Sequence, residues 1–140
     1  MKPEEQRLKR LQRLERVRAI AKRTLAAETA QAEGTLAQLQ ILSDRTRQLA
    51  DDYAARDDAS DGHSLRQGSH FASGLYKIAA STGADVSTAR EHANRKLAEL
   101  AIAERKRAAV EERAKNEEQA LQKKAQQPAI GSRKRVWHDT

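Results

Sequence analysis

The sequence predicts an all-α protein: a long antiparallel two-helix coiled-coil hairpin with a short helical or loop segment at the bend. Three observations carry this expectation. Apolar residues recur at alternating spacings of three and four over residues 8–53, a period that keeps one seam of a helix turned toward a partner helix. Aromatic residues are 3% of the chain and charged residues 34%, the composition of a long helix rather than of a closed core. A segment rich in Asp, Ser and Gly then interrupts the pattern before a second heptad run begins. These readings place one coiled-coil domain over 1–126, with helix one at about 4–56, a bend segment at 57–87 and helix two at about 88–126. A flexible basic tail follows over 127–140.

Helix one opens at Pro3, which a first helical turn tolerates, and Glu4 and Glu5 suit the positive end of the helix dipole. Counted from Leu11, its a and d slots read Leu11, Leu14, Arg18, Ala21, Leu25, Glu28, Ala32, Thr35, Leu39, Leu42, Thr46, Leu49 and Tyr53. Six heptads at ~1.5 Å per residue imply a rod of about 70 Å. Arg18, Glu28, Thr35 and Thr46 break the apolar rule; polar seam residues cost stability but fix register and strand number.

Residues 57–62, DDASDG, are turn formers and end this helix. Segment 63–83 holds the only Phe and three glycines, with Gly62 just before it. Leu65, Ala72, Leu75 and Ala79 keep helical spacing there, so a short helix or helical turns with loops at both ends is expected. Thr88 to Glu91 has the form of a capping box and should start helix two. The second seam reads Ala89, Ala93, Lys96, Leu100, Ala103, Arg107, Val110, Ala114, Glu117, Leu121 and Lys124. It is rich in alanine, which permits close approach but buries little area. Pro128 and Gly131 are expected to stop the helix. The tail carries Arg133, Lys134 and Arg135 beside Val136 and Trp137.

Two helices joined by a short break can fold back as an antiparallel hairpin, although parallel pairing between chains satisfies the same heptads. Charge bears on the outcome. The net charge is +7, with +6 in residues 1–23, +4 in 123–140 and −3 in the body between. A hairpin would bring the two basic ends to one pole. Such a pole suits an acidic socket, with electrostatics raising the association rate.

The chain offers little to catalysis. There is no P-loop and no dinucleotide fingerprint. His63, His70, His92 and His138 are scattered, and isolated histidines in a charged chain are mostly solvated. Paired carboxylates at Asp51-Asp52, Asp57-Asp58, Glu111-Glu112 and Glu117-Glu118 lack a shaped cleft that could make an acid–base pair of them. With no cysteine there is neither a disulfide framework nor a thiolate metal site. The charged start has no apolar core of a secretory signal, and no apolar run is long enough for membrane insertion. A non-enzyme without cofactor or metal is expected.

The order of features resembles the FliJ family, small coiled-coil components of the bacterial flagellar type III export apparatus. The resemblance runs through Leu8, Leu11, Leu14-Glu15 and Val17-Arg18, then Gln38-Leu39, Leu42 and Asp44. It continues with Phe71 and Leu75 after the break, and ends with Glu104-Arg105-Lys106, Val110 to Arg113 and Gln122 to Lys124. It implies a hairpin similar to the stalk of rotary ATPases. The basic pole, represented by Arg7, Arg10, Arg13 and Arg113, would face a hexameric export ATPase. Gln38, Leu42, Phe71 and Leu75 match the surface that meets the cytoplasmic domain of the export gate, while Arg45 and Leu49 stand where the family has tyrosines. Export chaperones are further implied partners, and the implied location is cytoplasmic, peripheral at the inner face of the cytoplasmic membrane. A homo-oligomeric structural coiled-coil scaffold and a basic nucleic-acid-associated rod are the competing readings; nucleic acid is not the partner of first choice.

Overall fold

The structure, a computed structural model, describes residues 2–56 and 61–138, with side chains described as far as residue 127. Two long helices, α1 (Pro3–Ala54) and α2 (Gly62–His138), pack against each other as an all-α helical hairpin. Among the described residues there is no strand.

α1 starts as its sequence dictates. Pro3 occupies the first position, Glu4 and Glu5 lie in the first turn, and the Gln6 N–H donates to the Lys2 carbonyl at 3.1 Å. At the other end the Ala55 N–H still reaches the Asp51 carbonyl at 3.0 Å, and the Arg56 N–H turns to Tyr53 at 3.4 Å. This tightening of the last turn is common where carbonyls run out of helical partners. Residues 57–60 of the expected DDASDG break lie outside the described residues.

α2 corrects several expectations. It starts at Gly62 rather than near residue 88, and it passes through Pro128 and Gly131 rather than stopping there or giving way to a tail at 127. Its cap is Asp61, whose Oδ1 accepts the Ser64 N–H at 2.7 Å. That bond is the main reason the Asp61 carboxyl titrates below its ordinary range. An aspartate that reads as part of a turn is therefore the N-cap of the next helix. Thr88 is no cap; its hydroxyl donates back to the Ala84 carbonyl at 3.3 Å, the usual resource of a threonine inside a helix. The glycines at 68, 74 and 83 lie within α2 without positive φ. Each costs a helix only about 1 kcal/mol relative to alanine, too little to break one packed along a partner.

The chain divides into two compact units. Unit 1 pairs α1 up to Ala26 with α2 from Glu99 onward. Within it Glu4 meets Lys124, Arg7 meets Glu117 at 3.5 Å and Lys22 meets Glu104 at 2.7 Å, so the two segments run antiparallel. Unit 2 spans Ala27–Ala98. Its ladder includes Glu28 with Lys96 at 3.0 Å and the Tyr76 hydroxyl on Asp51, again antiparallel.

Burial corrects the seam of α1. Its inward rows are 8, 15, 22, 29, 36, 43, 50 and 11, 18, 25, 32, 39, 46, 53. The second row matches the a slots read from the sequence. The expected d row does not face the partner: Leu14, Leu42 and Leu49 are 39%, 52% and 44% exposed, and Glu28 and Thr35 are also outside. Their place is taken by Thr29 and Ala50, which are 4% and 0% exposed. The α2 seam falls on the expected rows and extends upstream through Val86, Thr82, Ala79, Leu75 and Ala72.

Alanine explains the choice. The buried apolar residues are Ala32, Ala50, Ala72, Ala79, Ala93, Ala114 and Val110, and no large side chain among the described residues is fully buried. Small seam residues let backbones approach closely, and a leucine then fits beside the contact rather than in it. Each buried methyl contributes only about 0.8 kcal/mol, so length must supply what depth does not. Three seam threonines bond to backbone carbonyls, one across the pair and two within their own helix. The Thr29 hydroxyl donates across to the Lys96 carbonyl at 3.2 Å, and Thr46 and Thr82 donate to Leu42 and Ile78 at 2.8 and 2.9 Å.

Candidate interaction surfaces

Helical register sorts the exposed residues into flanks, and each unit can be read by itself. In unit 1 the residues just before the 8, 15, 22 row of α1 lie on the same side as those just before the 100, 107, 114 row of α2. A groove lined by Arg18, Ala21, Leu25, Glu99, Ile102, Ala103 and Lys106 confirms that pairing. This flank carries Arg7, Leu14, Lys106 and Arg113, with Arg10 and Val17 one step outward. The opposite flank presents Glu104, Glu111 and Glu118 from α2.

Two of these three glutamates are ion-paired. Arg107 holds Glu104 through two bonds of 2.8 and 2.9 Å and Glu111 through a third of 2.8 Å. Lys22 adds a contact to Glu104, and Lys115 one to Glu111 at 3.6 Å. The hydrogen bonds from Arg107, and then from Lys22, lower the Glu104 carboxyl to about 2. Arg107 likewise holds Glu111 below the ordinary range, and its own guanidinium is held more firmly protonated by the two carboxylates. Glu4 is lowered by its bond to Lys124.

The basic side is not neutralised. Of the four arginines expected to form a basic pole, Arg7 pairs with Glu117, while Arg10, Arg13 and Arg113 are exposed and make no ion pair among the described residues. All four lie in unit 1. Arg7, Arg10 and Arg113 share one flank, and Arg13 points further out on α1. The basic residues of the tail, from Arg133 to Arg135, lie beyond the described side chains. Inside the groove, the Arg18 Nε is buried and finds no hydrogen-bond acceptor among the described residues. In the sequence Arg18 reads as a polar seam residue that fixes register or keeps a face for a different partner.

In unit 2 the corresponding rows put Leu42 and Leu49 of α1 on the same flank as Phe71 and Ile78 of α2. A groove lined by Glu28, Thr35, Asp85 and His92 identifies that flank, since all four stand in the same rows. The exposed residues Gln38, Leu42 and Phe71 thus come to one side, whereas Leu75 is half-buried in the α2 seam. Ile41, Leu49 and Ile78, 51%, 44% and 55% exposed, enlarge the apolar area, and of the three only Leu49 stands out in the sequence, as an expected seam residue. The signal was present in the sevenfold spacing of Leu42 to Leu49 and of Phe71 to Ile78.

The Phe71 ring stands edge-on to Tyr53 at 4.7 Å and 65°, and the Arg56 guanidinium lies 4.2 Å from the Tyr53 ring centre. These rings line an open cleft of about 930 Å³ with Leu65, Tyr76 and Lys77. The Tyr76 hydroxyl is held on Asp51, which raises its pKa above the ordinary value.

His63 and His70 are exposed and line a shallow depression with Arg66, Gln67 and Phe71; His92 is exposed as well. Among the described residues no group of three His, Cys, Asp or Glu could hold a metal ion. Of the paired carboxylates, Asp57-Asp58 lies outside the described residues, and Asp51, Glu111 and Glu117 are engaged by Tyr76, Arg107 and Arg7. No helix among the described residues is long and apolar enough to cross a membrane. The chain matches no protein-family model, no curated protein and no solved structure.

Proposed function

We propose that this chain is a non-enzymatic component of the bacterial flagellar type III export apparatus. It would act as a stalk or adaptor between the export ATPase ring and the export gate, and as an escort for export chaperones. The reading rests on the resemblance of the sequence to the FliJ family, and one structural observation supports it most. The helical hairpin gathers Arg7, Arg10, Arg13 and Arg113 into one unit, with three of the four exposed and free of ion pairs among the described residues. Such a cluster is suited to an acidic socket in a ring-shaped partner. The exposed Leu42 and Phe71, with Gln38 beside them, supply an apolar contact for the cytoplasmic domain of the gate. The stalk does no chemistry; it couples a partner's ATP turnover to export by contacting that partner differently in its different states.

The test is co-purification of the tagged chain from a native lysate. Recovery of a hexameric ATPase is expected, and its loss when Arg7, Arg10 and Arg13 are all changed to Glu with helicity intact. Recovery of nucleic acid alone, or unchanged ATPase capture by the triple variant, overturns the stalk reading.

A second reading has its own support. Ile41, Leu42, Leu49, Phe71 and Ile78 form an apolar flank with few charges, which favours a second copy of the chain and a homo-oligomeric scaffold. Sedimentation equilibrium separates the two readings: a monomer supports the adaptor and a dimer that Leu42→Asp dissolves supports the scaffold.

A further inference from the structure

The two flanks of unit 1 differ in a way that the helix pair itself does not require. On one, Arg107, Lys22 and Lys115 hold Glu104 and Glu111 in a network of ion pairs. The other joins unpaired basic residues, Lys106 and Arg113, to exposed apolar ones, Leu14, Val17 and Ile102, which are 39%, 60% and 46% exposed. The groove between the helices on this flank, about 240 Å³, contains the buried and unpartnered Arg18 Nε. The Arg18 Nε is thus a recessed donor that a carboxylate entering the groove can meet.

We propose that this flank is a docking groove for an acidic amphipathic helix of a partner protein, which lies against Leu14, Val17 and Ile102 as a third helix and offers carboxylates to Arg18, Lys106 and Arg113. Three features select that occupant. Its sign is set by charge complementarity, because Glu99 is the sole acid lining the groove. Its apolar face is set by the exposed aliphatic residues, which a phosphate backbone has no means of reading. Its shape is set by concavity: a helix side chain can enter the groove and reach Arg18, whereas a flat layer of lipid headgroups stops at the rim. The inference stands apart from the export reading, since the identity of the ATPase or gate does not enter it.

The test uses the full chain and a fluorescently labelled synthetic peptide with leucine at the a and d positions of its heptads and glutamate elsewhere. A scrambled peptide of the same composition and vesicles of phosphatidylglycerol serve as comparators. By fluorescence anisotropy the patterned peptide is expected to bind about tenfold more tightly than the scrambled one. Val17→Asp, Ile102→Asp and the pair Lys106→Glu with Arg113→Glu should each weaken it about tenfold. None of these four residues lies in a seam row, and circular dichroism checks that helicity is kept. Equal binding of the scrambled peptide overturns the proposal in favour of unspecific charge attraction. Capture by vesicles without peptide binding overturns it in favour of a lipid surface, and insensitivity to Val17→Asp and Ile102→Asp overturns the apolar contact. Because ATPase capture is not a readout here, failure of this test and failure of the stalk reading are distinguishable.

Discussion

The register of α1 can be decided by two adjacent residues. Ala50 is fully buried and Leu49 is 44% exposed. In a leucine-seam register the two would exchange roles. Changing Ala50 to Leu adds three carbon atoms at a fully buried position, against a partner face whose buried residues include Ala72 and Ala79. Overpacking of this kind costs about 1–3 kcal/mol. Changing Leu49 to Ala removes a side chain that is little more than half withdrawn from water. Full burial of a leucine contributes about 1.5–3 kcal/mol, so its loss should cost about 1 kcal/mol. A leucine in a packed seam would instead cost about 2–5 kcal/mol.

Leucine and alanine are both strong helix formers, so intrinsic propensity moves neither result by more than a few tenths of a kcal/mol. Urea unfolding followed by circular dichroism gives the midpoint for each variant. Ala50→Leu should lower it more than Leu49→Ala does, at unchanged slope. A neutral Ala50→Leu together with a Leu49→Ala loss above about 2 kcal/mol would refute the alanine-centred register.

The ion-pair network of unit 1 predicts a pH dependence. Glu104 is lowered to about 2 from an ordinary 4.5, and Glu111 is lowered in the same direction. The unfolded chain then binds more protons between these values, so stability is complete above about pH 4.5 and is lost as pH falls toward about 2. Thermal melts over that range should show the loss, and Glu104→Gln with Glu111→Gln should flatten it. A Cβ at Gly34, Gly74 or Gly83 meets nothing within 4 Å, so alanine at each should raise stability by about 0.5–1 kcal/mol, read as a higher urea midpoint. Thr29→Val keeps the shape but removes the bond to the Lys96 carbonyl; it should lower stability by about 1 kcal/mol, and Thr29→Ser should restore part of that loss.

Helical class, heptad period and the α2 seam were legible because periodicity is a property of many residues at once. The α1 register was not, because two rows compete for the same seam. The row through Leu14, Leu42 and Leu49 is the more apolar, yet the row through Thr29 and Ala50 is buried. What decides is the partner: an alanine face on α2 admits small residues closely and leaves leucines at the margin. That information lies in the pairing and not in α1 alone.

The break was misjudged for a related reason. Gly68, Gly74, Gly83, Thr88 and Pro128 each carry a local signal against helix continuation, but the preference of a single residue is weak beside the packing of a helix 77 residues long. The local signal at Pro3 marks the observed start of α1, whereas Asp61, which reads as a turn residue, caps α2. The candidate surfaces divide in the same way. The charge count and the hairpin together placed Arg7 and Arg10 at a basic pole, whereas Arg113 was implied there only by the family resemblance; all three lie in unit 1. Their separation from the carboxylates of the opposite flank depends on the register of α1, whereas Arg18 stands in a row that faces inward in the expected register as well. What the observed register changes in unit 1 is Leu14, which it moves out of the seam and onto the docking flank, where its side chain is open to a partner helix.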